Sequence, residues 1–108
     1  MRKPKDLSLA PRDGFAIAPV HPGEVLKEEF AERGLTAHAV ALKLRVPANR
    51  LTDIINGKRG ISPDTALRLS RLIGPSATFW MNLQSQYDLA MAEKRDGARI
   101  RAEVESAA

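Results

Sequence analysis

An all-α fold of five helices is predicted by three observations. Apolar residues recur at helical spacing, as in Val40, Ala41 and Leu44 or in Ala66, Leu69, Leu72 and Ile73. Start and stop signals bracket these stretches: Pro22, Thr36, Pro47, Ser62-Pro63 and Ser76 open them, and Gly34 and Gly74-Pro75 close two of them. Finally, the segment from Leu35 to Gly57 reads as two short helices crossing through a tight turn, a helix-turn-helix, and the rest of the chain is organised around it.

The chain has 108 residues, enough for one domain with a single modest core. It contains no cysteine, which excludes disulfides and thiolate zinc sites, and His21 and His38 alone cannot form a metal cluster; no metal and no cofactor are expected. Arg2, Lys3 and Lys5 are followed by no apolar run, and no stretch approaches the ~20 apolar residues of a membrane span, so a cytoplasmic protein without a secretory signal is expected. The net charge is +4, and its distribution matters more than its size. Residues 45–60 carry Arg45, Arg50, Lys58 and Arg59 against Asp53 alone, whereas residues 21–44 hold three cations against four carboxylates. The positive field is therefore local to the second helix of the motif and the loop after it.

Residues 1–20, with Pro4, Pro11, Gly14 and Pro19, are read as a flexible arm, although Leu7, Leu9, Phe15, Ile17 and Val20 would let part of it order against the body or a partner. The domain proper spans 21–93. In the first helix Pro22 fits the first turn, Glu24 suits the positive end of the helix dipole and Gly34 ends the run; Val25, Leu26, Phe30 and Leu35 supply core. Glu28, Glu29 and Glu32 read as a solvated face, because nothing apolar surrounds them to separate their pKa values for acid–base work.

Thr36 caps the next helix, and the small Ala41 lets two steeply crossing helices approach. Arg45 and Val46 make the turn, Val46 as an inward pin, and Pro47 starts the following helix. That helix buries Leu51 and Ile54 and leaves Ala48, Asn49, Arg50, Thr52, Asp53 and Asn56 outward or at its margins, followed by Lys58 and Arg59. Amides and a guanidinium near a helix N-terminus with cations at its exit suit a major groove. Asn49 is the leading candidate for base readout, since its amide can pair bidentately with adenine, and Arg50 could do the same to guanine if it points inward. Two readings of His38 stay open, a phosphate contact near the start of its helix and a plain exposed histidine.

A fourth helix begins at Ser62-Pro63-Asp64 and a fifth at Ser76. In the fifth, Phe79 and Leu83 are expected to close the core, and some of Trp80, Met81, Tyr87 and Met91 to form a subunit or partner surface, because together they exceed what one helix face can bury. Residues 94–108 alternate charges and alanines around Gly97 and are expected to be a frayed or disordered tail.

Residues 21–93 resemble the HigA-type antitoxins, a branch of the Xre-like, phage-repressor-type helix-turn-helix superfamily. The resemblance is carried by HPGEVLKEEF, by LTAHAVALKLRVPANRLTDIINGKRGIS and by DTALRLSRLIGPSATFWMNLQSQYDLAMA. The middle stretch identifies the superfamily, while the HPGE opening and the FWMNLQ helix are specific to the branch. The resemblance implies a small phage-repressor-like domain that dimerises, binds a palindromic operator of double-stranded DNA in its own promoter, and neutralises a HigB-type toxin similar to the RelE ribonucleases. Carried over by position, it implies base readout by Ala48, Asn49 and Asp53 with Arg50 and Thr52 beside them, and phosphate contacts from Asn56, Lys58 and Arg59. Three positions depart from the pattern. Ala37 stands where a backbone-gripping Gln is common, Arg45 where the turn often has Gly, and Pro47 where Ser caps the reading helix; Arg45 must then bear a left-handed turn conformation. The toxin contact is expected on the arm and the first helix, with the outer faces of the fourth and fifth helices as the alternatives. Two other readings are a stand-alone repressor with no toxin and a helical adaptor that does not bind DNA. Enzymatic function is not expected, because the sequence offers no nucleophile–base pair, phosphate-binding glycine loop or metal set.

Overall fold

The computed structural model describes residues 19–107, so nearly all of the arm expected over residues 1–20 lies outside the described residues. The elements run α1 (Pro22–Arg33), α2 (Ala37–Leu44), α3 (Ala48–Ile55), α4 (Pro63–Ile73) and α5 (Ala77–Glu103). The start signals are met in atomic detail. Thr36 Oγ1 accepts the Ala39 N–H, Ser62 Oγ the Thr65 N–H and Ser76 Oγ the Phe79 N–H, each satisfying one otherwise orphaned helix donor. The N-cap of α1 has a different chemistry: His21, buried, accepts the Gly23 N–H on Nδ1 at 2.9 Å, while its ring meets Tyr87 edge-on at 4.8 Å.

α2 packs mainly on α3 and α4 on α5, while α1 bridges α3 and α5 and α2 touches α4. Leu26, Phe30, Val40, Ala41, Leu44, Leu51, Ile54, Ile61, Ala66, Leu69, Trp80 and Leu83 form one core. Gly23 is required where α1 crosses the end of α3, since a Cβ there would overlap the Ile54 carbonyl oxygen. Among the described residues, no helix is long and apolar enough to cross a membrane.

Two expectations for α5 are corrected. Trp80, placed among the subunit-surface candidates, is 1% exposed and belongs to the core, while Phe79, expected to close the core, is 39% exposed. The exchange follows from the turn before the helix: the Trp80 indole Nε1–H donates to the Gly74 carbonyl at 2.9 Å, so the larger ring turns inward with its polar atom satisfied. Met81, Tyr87 and Met91 are half-buried, and Met81 packs against the core.

The second correction concerns the tail. Helix α5 continues to Glu103 where disorder from Lys94 onward is expected. Ion pairs lace the extension: Arg95–Asp96 at 2.9 Å, Arg99–Asp96 at 3.3 Å, Arg99–Glu103 at 3.1 Å and Arg101–Glu93 at 2.6 Å. Arg99–Asp96 and Arg99–Glu103 are at i,i+3 and i,i+4 spacing, where an exposed pair contributes only ~0.3–0.5 kcal/mol, so together they offset part of the ~1 kcal/mol cost of a mid-helix glycine. Gly97 is itself buried, with the Glu93 side chain folded over it where a Cβ would stand.

Candidate nucleic-acid interface

Residue chemistry decides how α3 is presented. Leu51 and Ile54, both fully buried, nail one side of the helix to the core, and a helix held on one side displays the other. Asn49, Thr52 and Asn56 are exposed and fall on one stripe at spacings of three and four residues. Ala48 is half-buried against the core, so it offers a methyl group at the edge of the stripe. Thr52 Oγ1 donates weakly to the carbonyls of Ala48 and Asn49, at 3.4 and 3.3 Å, and its oxygen keeps its capacity to accept.

The turn that aims α3 is held by backbone. Arg45 adopts φ 60° and ψ 47°, the left-handed conformation required of this position, at a cost of about 1 kcal/mol for a residue with a Cβ. Its N–H meets the Leu42 carbonyl at 3.2 Å and the Val46 N–H meets that of Ala41 at 3.0 Å, while Val46 packs on the core as the expected pin. Pro47 is the N-cap of α3, one position earlier than expected, and supplies no side-chain acceptor. The Arg50 N–H meets the Pro47 carbonyl at 3.0 Å, and the N–H groups of Ala48 and Asn49 before it have no side-chain cap, an arrangement that favours a phosphate oxygen.

Arg50 stands apart from the other candidates. It is half-buried and turns away from the stripe to Asp64 on α4, with Nη1 to Oδ2 at 3.1 Å. Asp64 also receives Arg68 Nε at 2.9 Å, and Arg68 Nη1 donates to the Leu44 carbonyl at the end of α2, also at 2.9 Å. This network ties α2, α3 and α4 together. The hydrogen bond from Arg68, then the charges of Arg68 and Arg50, hold the Asp64 carboxyl below its ordinary value of 3.8 against the opposing effect of partial desolvation. A carboxylate with a depressed folded pKa stabilises the fold above its unfolded pKa, and that contribution is lost as pH falls through the lower folded value. Chemical denaturation at pH 5 and pH 3 should therefore show a smaller loss of stability for Asp64→Asn than for the wild-type chain.

After α3, Asn56 ends the helix, Gly57 takes φ 75°, and the Lys58 N–H returns to the Asp53 carbonyl at 2.8 Å. Lys58 and Arg59 are thereby exposed beside the polar stripe, Arg59 reaching Asp53 at 3.7 Å. At the start of α2, His38 is exposed beside the Thr36 cap, and Ala37 packs partly against the core. The structure thus brings Asn49, Thr52, Asp53, Asn56, Lys58 and Arg59 into one region and pulls Arg50 to its margin. Sequence reasoning missed the His21 cap, the role of Gly23 and the Arg68 staple; the HPG run was visible, but a histidine acting as an N-cap leaves no distinct periodic signal.

A helix-turn-helix family model matches residues 26–80. Virulence-associated protein I of Dichelobacter nodosus is 50% identical over 76 residues, covering 69% of this chain and 70% of that one. Antitoxin HigA-1 of Vibrio cholerae is 39% identical over 72 residues, covering 66% of this chain and 68% of its own length. Among solved structures, the Pseudomonas aeruginosa antitoxin HigA with the higBA promoter superposes at a TM-score of 0.81 with 45% identity, covering 83% of this chain and 99% of that one. These relatives are named as antitoxins or virulence-associated proteins, not as enzymes. The chain belongs to the helix-turn-helix family, in its HigA-type antitoxin branch.

Proposed function

We propose that this antitoxin acts as a homodimer that represses its own operon and neutralises a HigB-type, RelE-like ribonuclease toxin. The observation that carries the DNA half is the Asn49, Thr52 and Asn56 stripe, exposed on a helix whose opposite side is buried and flanked by Lys58 and Arg59. Two copies would present α3 to successive major grooves about one helical turn, ~34 Å, apart, which calls for an inverted-repeat operator. Asn49 reads a base and Asp53 and Ala48 frame it; Thr52 is placed to reach a base or a phosphate, and Asn56, Lys58, Arg59 and His38 hold backbone phosphates. The partly exposed large residues of α5, with Met81, Tyr87 and Met91 among them, are the candidates for the dimer contact.

The toxin half is supported by the antitoxins to which the chain is similar, and the contact is placed on residues 1–20 and the outer face of α1. Co-expression with the product of the adjacent gene tests it. A stable complex with a small basic protein whose growth inhibition this chain relieves supports the antitoxin role; a chain that shifts its own upstream DNA but captures no such partner is a stand-alone repressor. Deleting residues 1–19 should weaken toxin binding and spare DNA binding, and unchanged toxin affinity would move the contact elsewhere.

A further inference from the structure

We propose that Gln84, on α5, is a positioning residue for DNA contact: it sets the place of the loop that carries Lys58 and Arg59. The inference rests on the DNA-binding reading above and extends it to a residue on another helix. The loop leaves α3 with its first residues held by backbone, the Gly57 N–H on the Ile54 carbonyl at 3.0 Å and the Lys58 N–H on that of Asp53 at 2.8 Å. Its far end is held by Gln84. The Gln84 Oε1 accepts the Ile61 N–H at 2.7 Å, across 23 residues of sequence, and Gly60 lies against the same amide so closely that a Cβ would stand 2.8 Å from Nε2 and 3.0 Å from Oε1. The two cations thus project from a short span between fixed ends.

The amide is itself oriented. Gln84 Nε2 donates to Asp88 Oδ1 at 2.9 Å, one turn further along α5, which leaves the carbonyl end to face the loop. Gln84 is 7% exposed and Ile61 3%. An apolar side chain could seal this edge of the core as well, but it would leave the buried Ile61 N–H without a partner and the loop free to shift. Cations on a mobile loop contact phosphates less consistently, so fewer counterions are released on binding.

The test measures affinity by fluorescence anisotropy for the full chain on a duplex from directly upstream of its own gene and on a random duplex of equal length, across a salt series. Gln84→Met should lose about tenfold in affinity on both duplexes, and its salt slope should fall by about one to two units toward that of the Lys58→Ala/Arg59→Ala double variant, with the helical content at the titration temperature unchanged. The double variant Gln84→Glu/Asp88→Asn keeps the net charge and both hydrogen bonds, with the donor on the other partner, and should restore slope and affinity. A folded Gln84→Met with wild-type slope and affinity overturns the proposal. Should that variant fail to fold, Asp88→Ala decides: a slope lowered with about threefold weaker binding supports the positioning role, and a wild-type slope overturns it. A wild-type chain with no salt-dependent binding to either duplex defeats the DNA-binding reading and this inference together, whereas normal wild-type binding with an indifferent Gln84→Met defeats the inference alone.

Discussion

Trp80→Ala is expected to remove ~3–5 kcal/mol of stability, the cost of emptying a fully buried aromatic site. The indole fills the space between the start of α5 and the α4–α5 turn, and its N–H satisfies the Gly74 carbonyl. For a domain of this size that loss is a large part of the whole folding free energy, so much of the chain should be unfolded at 37 °C. Trp80 is the one tryptophan in the sequence, and its removal abolishes indole fluorescence, so urea unfolding is best followed by circular dichroism. Trp80→Phe should retain more of the stability, losing the hydrogen bond and part of the volume. A Trp80→Ala chain as stable as wild type, yet unable to dimerise, would return Trp80 to the subunit surface where the sequence alone placed it.

Asn49→Ala should cost ~1–3 kcal/mol on the chain's own operator and little on random DNA, the signature of lost base readout. Arg59→Ala and Lys58→Ala should weaken both by the same factor and lower the salt slope by about one unit each. The contrast follows from placement, with Asn49 on the exposed stripe of α3 and the two cations on the loop beside it. Arg50 should behave differently from both. Its guanidinium is committed to Asp64, and Arg50→Ala is expected to act mainly on stability unless DNA draws the side chain away. Competition binding on specific and random duplexes separates these outcomes, and equal losses for Asn49→Ala on both would remove its assignment.

The reading helix and its turn were legible because their signals are local. Thr36, Ser62 and Ser76 each act within their own first turn, and the buried pair Leu51 and Ile54 lies three residues apart on one side of α3. The left-handed Arg45 could be anticipated from its position in the turn. What the sequence concealed depends on partners distant along the chain. Arg50 looks like a groove residue until Asp64 of α4 is beside it, and Gln84 looks like a solvated position until the loop at Gly60 and Ile61 closes over it. Phe79 and Trp80 are adjacent, so periodicity could not decide which ring faces inward; the Gly74 carbonyl decides it. The helical tail is hidden for a related reason, since Gly97 carries a strong local signal while ion pairs spread over Glu93 to Glu103 carry a weak one.

The most direct measurement is a base-resolved interference footprint of the purified chain on the DNA upstream of its gene, in which methylation reports guanine N7 in the major groove and adenine N3 in the minor groove and 7-deazaadenine substitution reports adenine N7 in the major groove. If α3 is a rod displayed twice by a symmetric pair, interference should fall on major-groove positions of two inverted half-sites about one helical turn apart, and Asn49→Ala should lose its interference at one position in each. Interference confined to the minor groove, or scattered protection with no paired half-sites, would contradict the role given to the outward side of α3.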